Sequence, residues 1–268
     1  MNNALNKNYL EHNVFRQLSE YAEFYRSLSN STMGWISQGS GSGINIDTYV
    51  FSSMQGTLES IHDILFKGRI NDSYALLRKY YDSTIINIYS NLYLNDNFSI
   101  DNFIVDKINH WVKGKETIPS FGIMSEYIIK SQKVAEITQL IYKNGAFKGS
   151  SFEELRKRCN DHTHYLYYHN LILNDNELYL QNRLSTLDSF STDLKDIFIL
   201  HLSYLFYLND HYMMSSDYID SLDCGLTPEE DSQYWVAPFI QKAFDNIIKA
   251  NRPEIAEIIK GKTAMKLE

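Results

Sequence analysis

Residues 197–208 read IFILHLSYLFYL. Only His201 and Ser203 interrupt an otherwise apolar or aromatic run, so no face of this segment can be left in water. A helix that is hydrophobic all round belongs at the centre of a bundle. The spacing predicts a long helix over about 190–215 and makes it the most buried part of the chain. Residues upstream repeat a helical period. Leu10, Val14, Phe15, Leu18, Tyr21, Phe24, Tyr25 and Leu28 recur at threes and fours, which places them on one face of a helix. The chain has 268 residues with only 4 prolines and 12 glycines, so long segments run uninterrupted, as helices require. No segment alternates convincingly in the manner of a strand, and no fixed-period repeat is visible. The expected fold is all-α: one domain over 1–268, a multi-helix bundle of about seven to nine helices.

Within that bundle, IDTYVFSSMQGTLESIHDILFKG and INDSYALLRKYYDSTIINIYSNLYLN predict two long antiparallel helices. They meet at KGRIND, where Asn71 or Asp72 is an expected N-cap. Asn144 and Gly145 end another predicted helix. Ser151 with Glu154 fits a capping box at the start of the next. Residues 174–186 are expected to hold a short extended piece. Thr227 and Pro228 mark a late helix start. The Ser/Gly-rich stretch NSTMGWISQGSGSGIN predicts a mobile loop centred on 38–43.

Composition narrows the function. The net charge is −8, so bulk charge does not advertise nucleic-acid binding, which needs clustered Lys and Arg. Only Cys159 and Cys224 occur, which argues against a disulfide framework and fits a reducing compartment. No run of about 18 apolar residues suggests a membrane span. The polar start MNNALNKNYLEHNVF lacks the apolar core of a signal peptide. The sequence therefore reads as a soluble cytoplasmic protein. Phosphate-loop, HExxH and GxSxG patterns are absent, and GSGSG at 39–43 lacks a strand-to-helix context.

One segment concentrates chemistry. Residues 154–170, ELRKRCNDHTHYLYYHN, hold three basic residues, a cysteine, an Asn-Asp pair and three histidines. The ligand types suit zinc, but His162 and His164 would point about 200° apart on a helix and His164 and His169 are five apart, so no metal and no cofactor is expected. Acid–base chemistry suits the set better. Histidine titrates near neutrality and arginine offers a charged, planar fork to phosphate. A phosphodiester with a 2′-hydroxyl carries its own nucleophile, so such a site needs charge stabilisation and proton transfer.

RCNDHTH resembles the Arg-x4–6-His motif of the HEPN superfamily. Arg158 and His164 have five residues between them, with Asn160 and Asp161 inside the motif. Arg156 and His162 offer a second register at the same spacing, and both remain open. Cys159 stands where the family commonly has a polar residue. The resemblance covers the motif and the helical character, about residues 47–220. It implies an all-α fold and a homodimer whose two motifs meet. It implies, too, a metal-independent endoribonuclease of toxin–antitoxin or antiviral systems, with RNA as substrate and an antitoxin or other protein as partner. On that reading Arg158 holds the phosphate, His164 moves a proton, and Asn160 and Asp161 orient them. Arg78 would help line the cleft beneath the motif. The alternative is a catalytically silent helical module that binds a partner protein or RNA. Without either, RKR is a solvated face and His169 an interior residue beside Tyr165 and Tyr168. His201 reads as a hydrogen-bonded core histidine.

Overall fold

The structure, a computed structural model, describes residues 5–268 apart from 37, 144–146, 148–152, 176, 178–181 and 228–235. It is all-α: among the described residues there are no strands, only isolated bridges. In chain order the α-helices are α1 (Lys7–Leu10), α2 (Asn13–Thr32), α3 (Ile46–Phe66), α4 (Ile70–Asn97), α5 (Asp106–Val112), α6 (Phe121–Lys130), α7 (Ala135–Lys143) and α8 (Glu153–Thr163). There follow α9 (Tyr168–Ile172), α10 (Arg183–Leu208), α11 (Ser216–Asp223), α12 (Pro238–Ala243) and α13 (Pro253–Lys262). Helical segments outnumber the expected seven to nine because breaks such as the extended Ser131 divide predicted helices into shorter pieces.

Helix α10 runs through the middle of one buried cluster whose members extend from residue 9 to residue 267. Every residue of 197–206 is buried, including His201 and Ser203. The helix is as long as 190–215 suggested but begins and ends seven residues earlier: it runs from Arg183 to Leu208, and a 3-10 turn, Asp210–Met213, follows. Helix α4 is the other hub and packs against α3, α6, α8 and α10. The α3–α4 hairpin turns where expected, at Gly68, whose φ of +79° favours glycine. Its N-cap differs from expectation. Arg69 occupies the cap without a side-chain capping bond, and Asn71 and Asp72 lie inside the helix with their side chains turned to other tasks. Two hydrogen bonds tie the Gly39–Gly41 segment to the region of α5. Val105 N–H donates to the Gly39 carbonyl at 2.8 Å, and Gly41 N–H donates to Asn109 Oδ1 at 3.2 Å. A Cβ at Gly39 would lie 2.6 Å from Leu94 Cδ2, so this close approach requires glycine. Ser151, Asn144, Gly145 and Pro228 lie outside the described residues, as does part of 174–186, whose last residues already belong to α10.

The core also holds a continuous polar chain. Asn87 Nδ2 donates to Asp47 Oδ1 at 2.7 Å, so Asn87 Oδ1 faces His201 Nε2, 2.8 Å away, and must accept from it. His201 Nδ1 therefore accepts from Tyr25 OH at 2.6 Å, and Tyr25 in turn accepts from Tyr80 OH at 2.8 Å. From the far side Asn45 donates to Tyr212 OH at 2.8 Å, and Tyr212 donates to Asp47 Oδ2 at 3.1 Å. Every donor points toward the Asp47 carboxylate. Burial holds His201 down at about 3, hence neutral. His201 is thus the satisfied core histidine that its apolar setting suggested.

Candidate functional site

The chemistry-rich segment forms α8 and the turn after it. Cys159 and Leu155 face the core and fix the helix on α4. Burial pushes the Cys159 thiol well up, so it stays protonated and inert. With that face fixed, Arg158, Asp161 and His162 turn toward an open cavity of about 540 Å³ between α4, α8 and the first turns of α10. Tyr74, Tyr167, His169, Asn170, Asp188 and Asp193 are among the other residues of its walls.

His162 is held on three sides. Its ring stacks on Tyr74 at 3.9 Å and 6°. Asn71 Nδ2 donates to the His162 carbonyl at 3.1 Å, which turns Asn71 Oδ1 toward His162 Nδ1, 2.9 Å away. An amide oxygen only accepts, so Nδ1 carries the hydrogen and Nε2 presents its lone pair. Burial pulls this imidazole down to about 4, with a smaller push from His169, so it is neutral at physiological pH. Arg158 donates to Asp193 Oδ1 at 2.7 Å. Asp193 is buried, which raises its carboxyl against the opposing pull of Arg158. The pair ties α8 to α10 and leaves about half of the Arg158 side chain open to solvent.

Of the other expected residues, only Asp161 joins Arg158 and His162 on this wall. Arg156 is gripped by Asp82 through Nε at 2.7 Å and Nη2 at 3.3 Å and lies over the Phe121 ring. Arg78 is 3.9 Å from the same Asp82, so it supports that pair and does not line the cavity. His164 is exposed just past the end of α8 and is absent from the cavity wall. Asn160 faces inward, its buried Oδ1 without a partner among the described residues, whereas Asp161 reaches the wall. The structure therefore brings Arg158 and His162 together, one helical turn apart. Neither five-residue register, Arg158/His164 or Arg156/His162, has both members on this wall. His169 is not interior: it is exposed on the rim of the same cavity and stacks on Tyr167 at 5.5 Å.

Helix α8 ends in a turn that shapes the rim. Leu166 N–H donates to the Asp161 carbonyl at 3.0 Å and Tyr165 N–H to the His162 carbonyl at 3.2 Å, with Tyr165 left-handed at φ +49°. This is a Schellman closure with tyrosine where glycine is favoured. It displays Tyr165, Leu166, Tyr167 and Tyr168 outward, Tyr168 being 79% exposed. Arg183, itself buried, fastens the next connection by donating to the carbonyls of Asp175, at 2.8 Å, and Gly68.

Asn71, Tyr74 and Asp193 are the site residues that motif reading misses. They lie 35 to 91 residues in sequence from the α8 side chains they contact and carry no local signature. No group of three or more potential metal ligands occurs among the described residues. Compared with family models, curated proteins and solved structures, the chain matches none.

Proposed function

We propose that the chain is a HEPN-like endoribonuclease that cleaves RNA at the α8 cavity without a metal, as a cytoplasmic homodimer of the toxin or antiviral-defence kind. The observation that carries this reading is the shared cavity of Arg158 and His162, with the His162 tautomer fixed by Asn71. Nε2 is a lone-pair acceptor on the cavity wall, suited to take the proton of a ribose 2′-hydroxyl. The 2′-oxygen then bonds to phosphorus as the bond to the 5′-oxygen breaks. Arg158 stabilises the charge on the phosphoryl oxygens, and the leaving oxygen takes its proton from water or from a second imidazolium. Products would be a 2′,3′-cyclic phosphate and a 5′-hydroxyl. Tyr167 and Tyr168 offer faces on which unpaired bases stack.

Purified protein incubated with single-stranded RNA in EDTA tests this. His162→Ala should slow cleavage by about 10²–10⁴-fold. Arg158→Ala should slow it by about 10²–10³-fold. If instead His164→Ala or Arg156→Ala alone abolishes cleavage, the motif works in one of its five-residue registers. No cleavage by the parent chain sinks the catalytic reading.

A second reading, a silent interaction module, is favoured by the charge of the cavity. Asp161, Asp188 and Asp193 line it, and Asp193 already engages Arg158. Those carboxylates oppose an incoming phosphate, while the exposed strip Tyr165, Leu166, Tyr167, Tyr168 suits an apolar partner surface. Binding of a partner with no RNA cleavage would establish it.

A further inference from the structure

A second cavity, of about 580 Å³, lies at the opposite end of α10. Leu208 lines it and Asp193 lines the first, so the two are about 22 Å apart along the helix axis. Its polar side is built by Asp47, Asn45, Asn91 and Tyr212, and its apolar side by Trp35 and Phe98. Asp47 is 2% exposed, and its carboxylate meets only neutral donors: Asn87, Asn91 and Tyr212. Among the described residues no lysine or arginine lines the cavity, and burial lowers the basicity of His211, which does. Among the described residues no cation pairs with Asp47. A buried carboxylate balanced only by amides and a phenol is costly, and a positive charge placed in the adjoining space would offset that cost. Trp35 lines the cavity with its ring edge-on to His211, 5.2 Å between centroids, and its buried Nε1–H has no acceptor among the described residues. A ligand oxygen would satisfy it. Indole and phenyl faces also favour a cation over an anion.

We infer that this cavity binds a small organic cation, an arylalkyl amine that carries an acceptor oxygen, with its ammonium on Asp47 and its ring between Trp35 and Phe98. The cavity would reject anions of the same shape, because among the described residues no lysine or arginine lines it. The inference is independent of the RNA reading, since it uses none of the α8 residues.

Calorimetric titration of the full chain with three isosteres tests it: tyramine (cation), tyrosol (neutral) and 4-hydroxyphenylacetate (anion). Tyramine should bind saturably, tyrosol at least about tenfold more weakly, and the anion not at all. Asp47→Asn should abolish the preference of tyramine over tyrosol, and Trp35→Phe should weaken tyramine while the preference for charge remains. The ligand series on the parent chain decides the matter even if Asp47→Asn does not fold. Equal affinity for all three compounds, or no saturable heat with tyramine, overturns the inference.

Discussion

At the scale of the residue, the decisive group is Asn71. Read from sequence it is a helix cap, since Asn before an apolar run favours that role. In the structure its amide spans the carbonyl and the ring of His162, so one residue fixes both the backbone position and the tautomer. The neutral state of His162 has a consequence for stability. Its folded value, about 4, lies below the ordinary histidine value, so between the two the unfolded chain binds more protons than the folded one. The stability it contributes is complete above about pH 6.5 and is lost as pH falls through 4. Histidine NMR should show His162 titrating with a midpoint near 4. A midpoint near 6.5 would mean the ring is open to water. Asn71→Ala should remove the tautomer preference and lower any RNA cleavage while leaving the affinity for RNA largely intact, because Asn71 acts on the imidazole and not on the phosphate.

At the scale of the element, α8 shows what a sequence can and cannot disclose. That a helix carries the motif was legible, from the first acidic residues through the basic ones to the histidines. Which of its residues share a cavity was not. That depends on Cys159 and Leu155 facing α4, and on Asp193 arriving from a helix 35 residues away. The Arg-x4–6-His spacing counts residues, whereas the cavity wall selects Arg158 and His162, one turn apart. The contacts of the Ser/Gly loop are hidden for a similar reason: its partners, Val105 and Asn109, are far away in sequence. The termination of α8 was equally hidden, because tyrosine is a poor residue for a left-handed position. Tyr165→Gly should relieve about 1 kcal/mol of backbone strain. A thermal melt checks this. If the variant is more stable yet binds RNA or a partner less well, the tyrosine is there for its exposed ring. If it is less stable, the ring's contact toward Asn174 outweighs the strain.

At the scale of the whole molecule, the all-apolar run did foretell the centre of the fold, because a helix with no wettable face has one place to go. Hydrogen exchange should be slowest over 197–206, and rapid exchange there would contradict the packing described. Leu202→Ala at that centre should cost about 2–5 kcal/mol in denaturant melts. Asp47 pulls the other way from His162 with pH. Burial raises its carboxyl to about 6, so the folded chain binds more protons there than the unfolded chain does. Stability from this group is complete below about pH 4 and is lost as pH rises through 6. Asp47→Asn should therefore gain on the parent in melting temperature between pH 4 and pH 7, by the equivalent of about 3 kcal/mol. A constant difference across that range would sink the assignment. The chain from Tyr80 through Tyr25, His201 and Asn87 to Asp47 gives this substitution a further meaning. Each hydroxyl, imidazole and amide in it can point either way, so the row has two senses, and one negative charge selects between them. Take the charge away and the arrow becomes reversible: an amide at position 47 can face Asn87 with its nitrogen, and the whole row can invert. Nitrogen NMR of His201 would register the inversion as an exchange of the protonated ring nitrogen from Nε2 to Nδ1, at a site with no exposure to solvent.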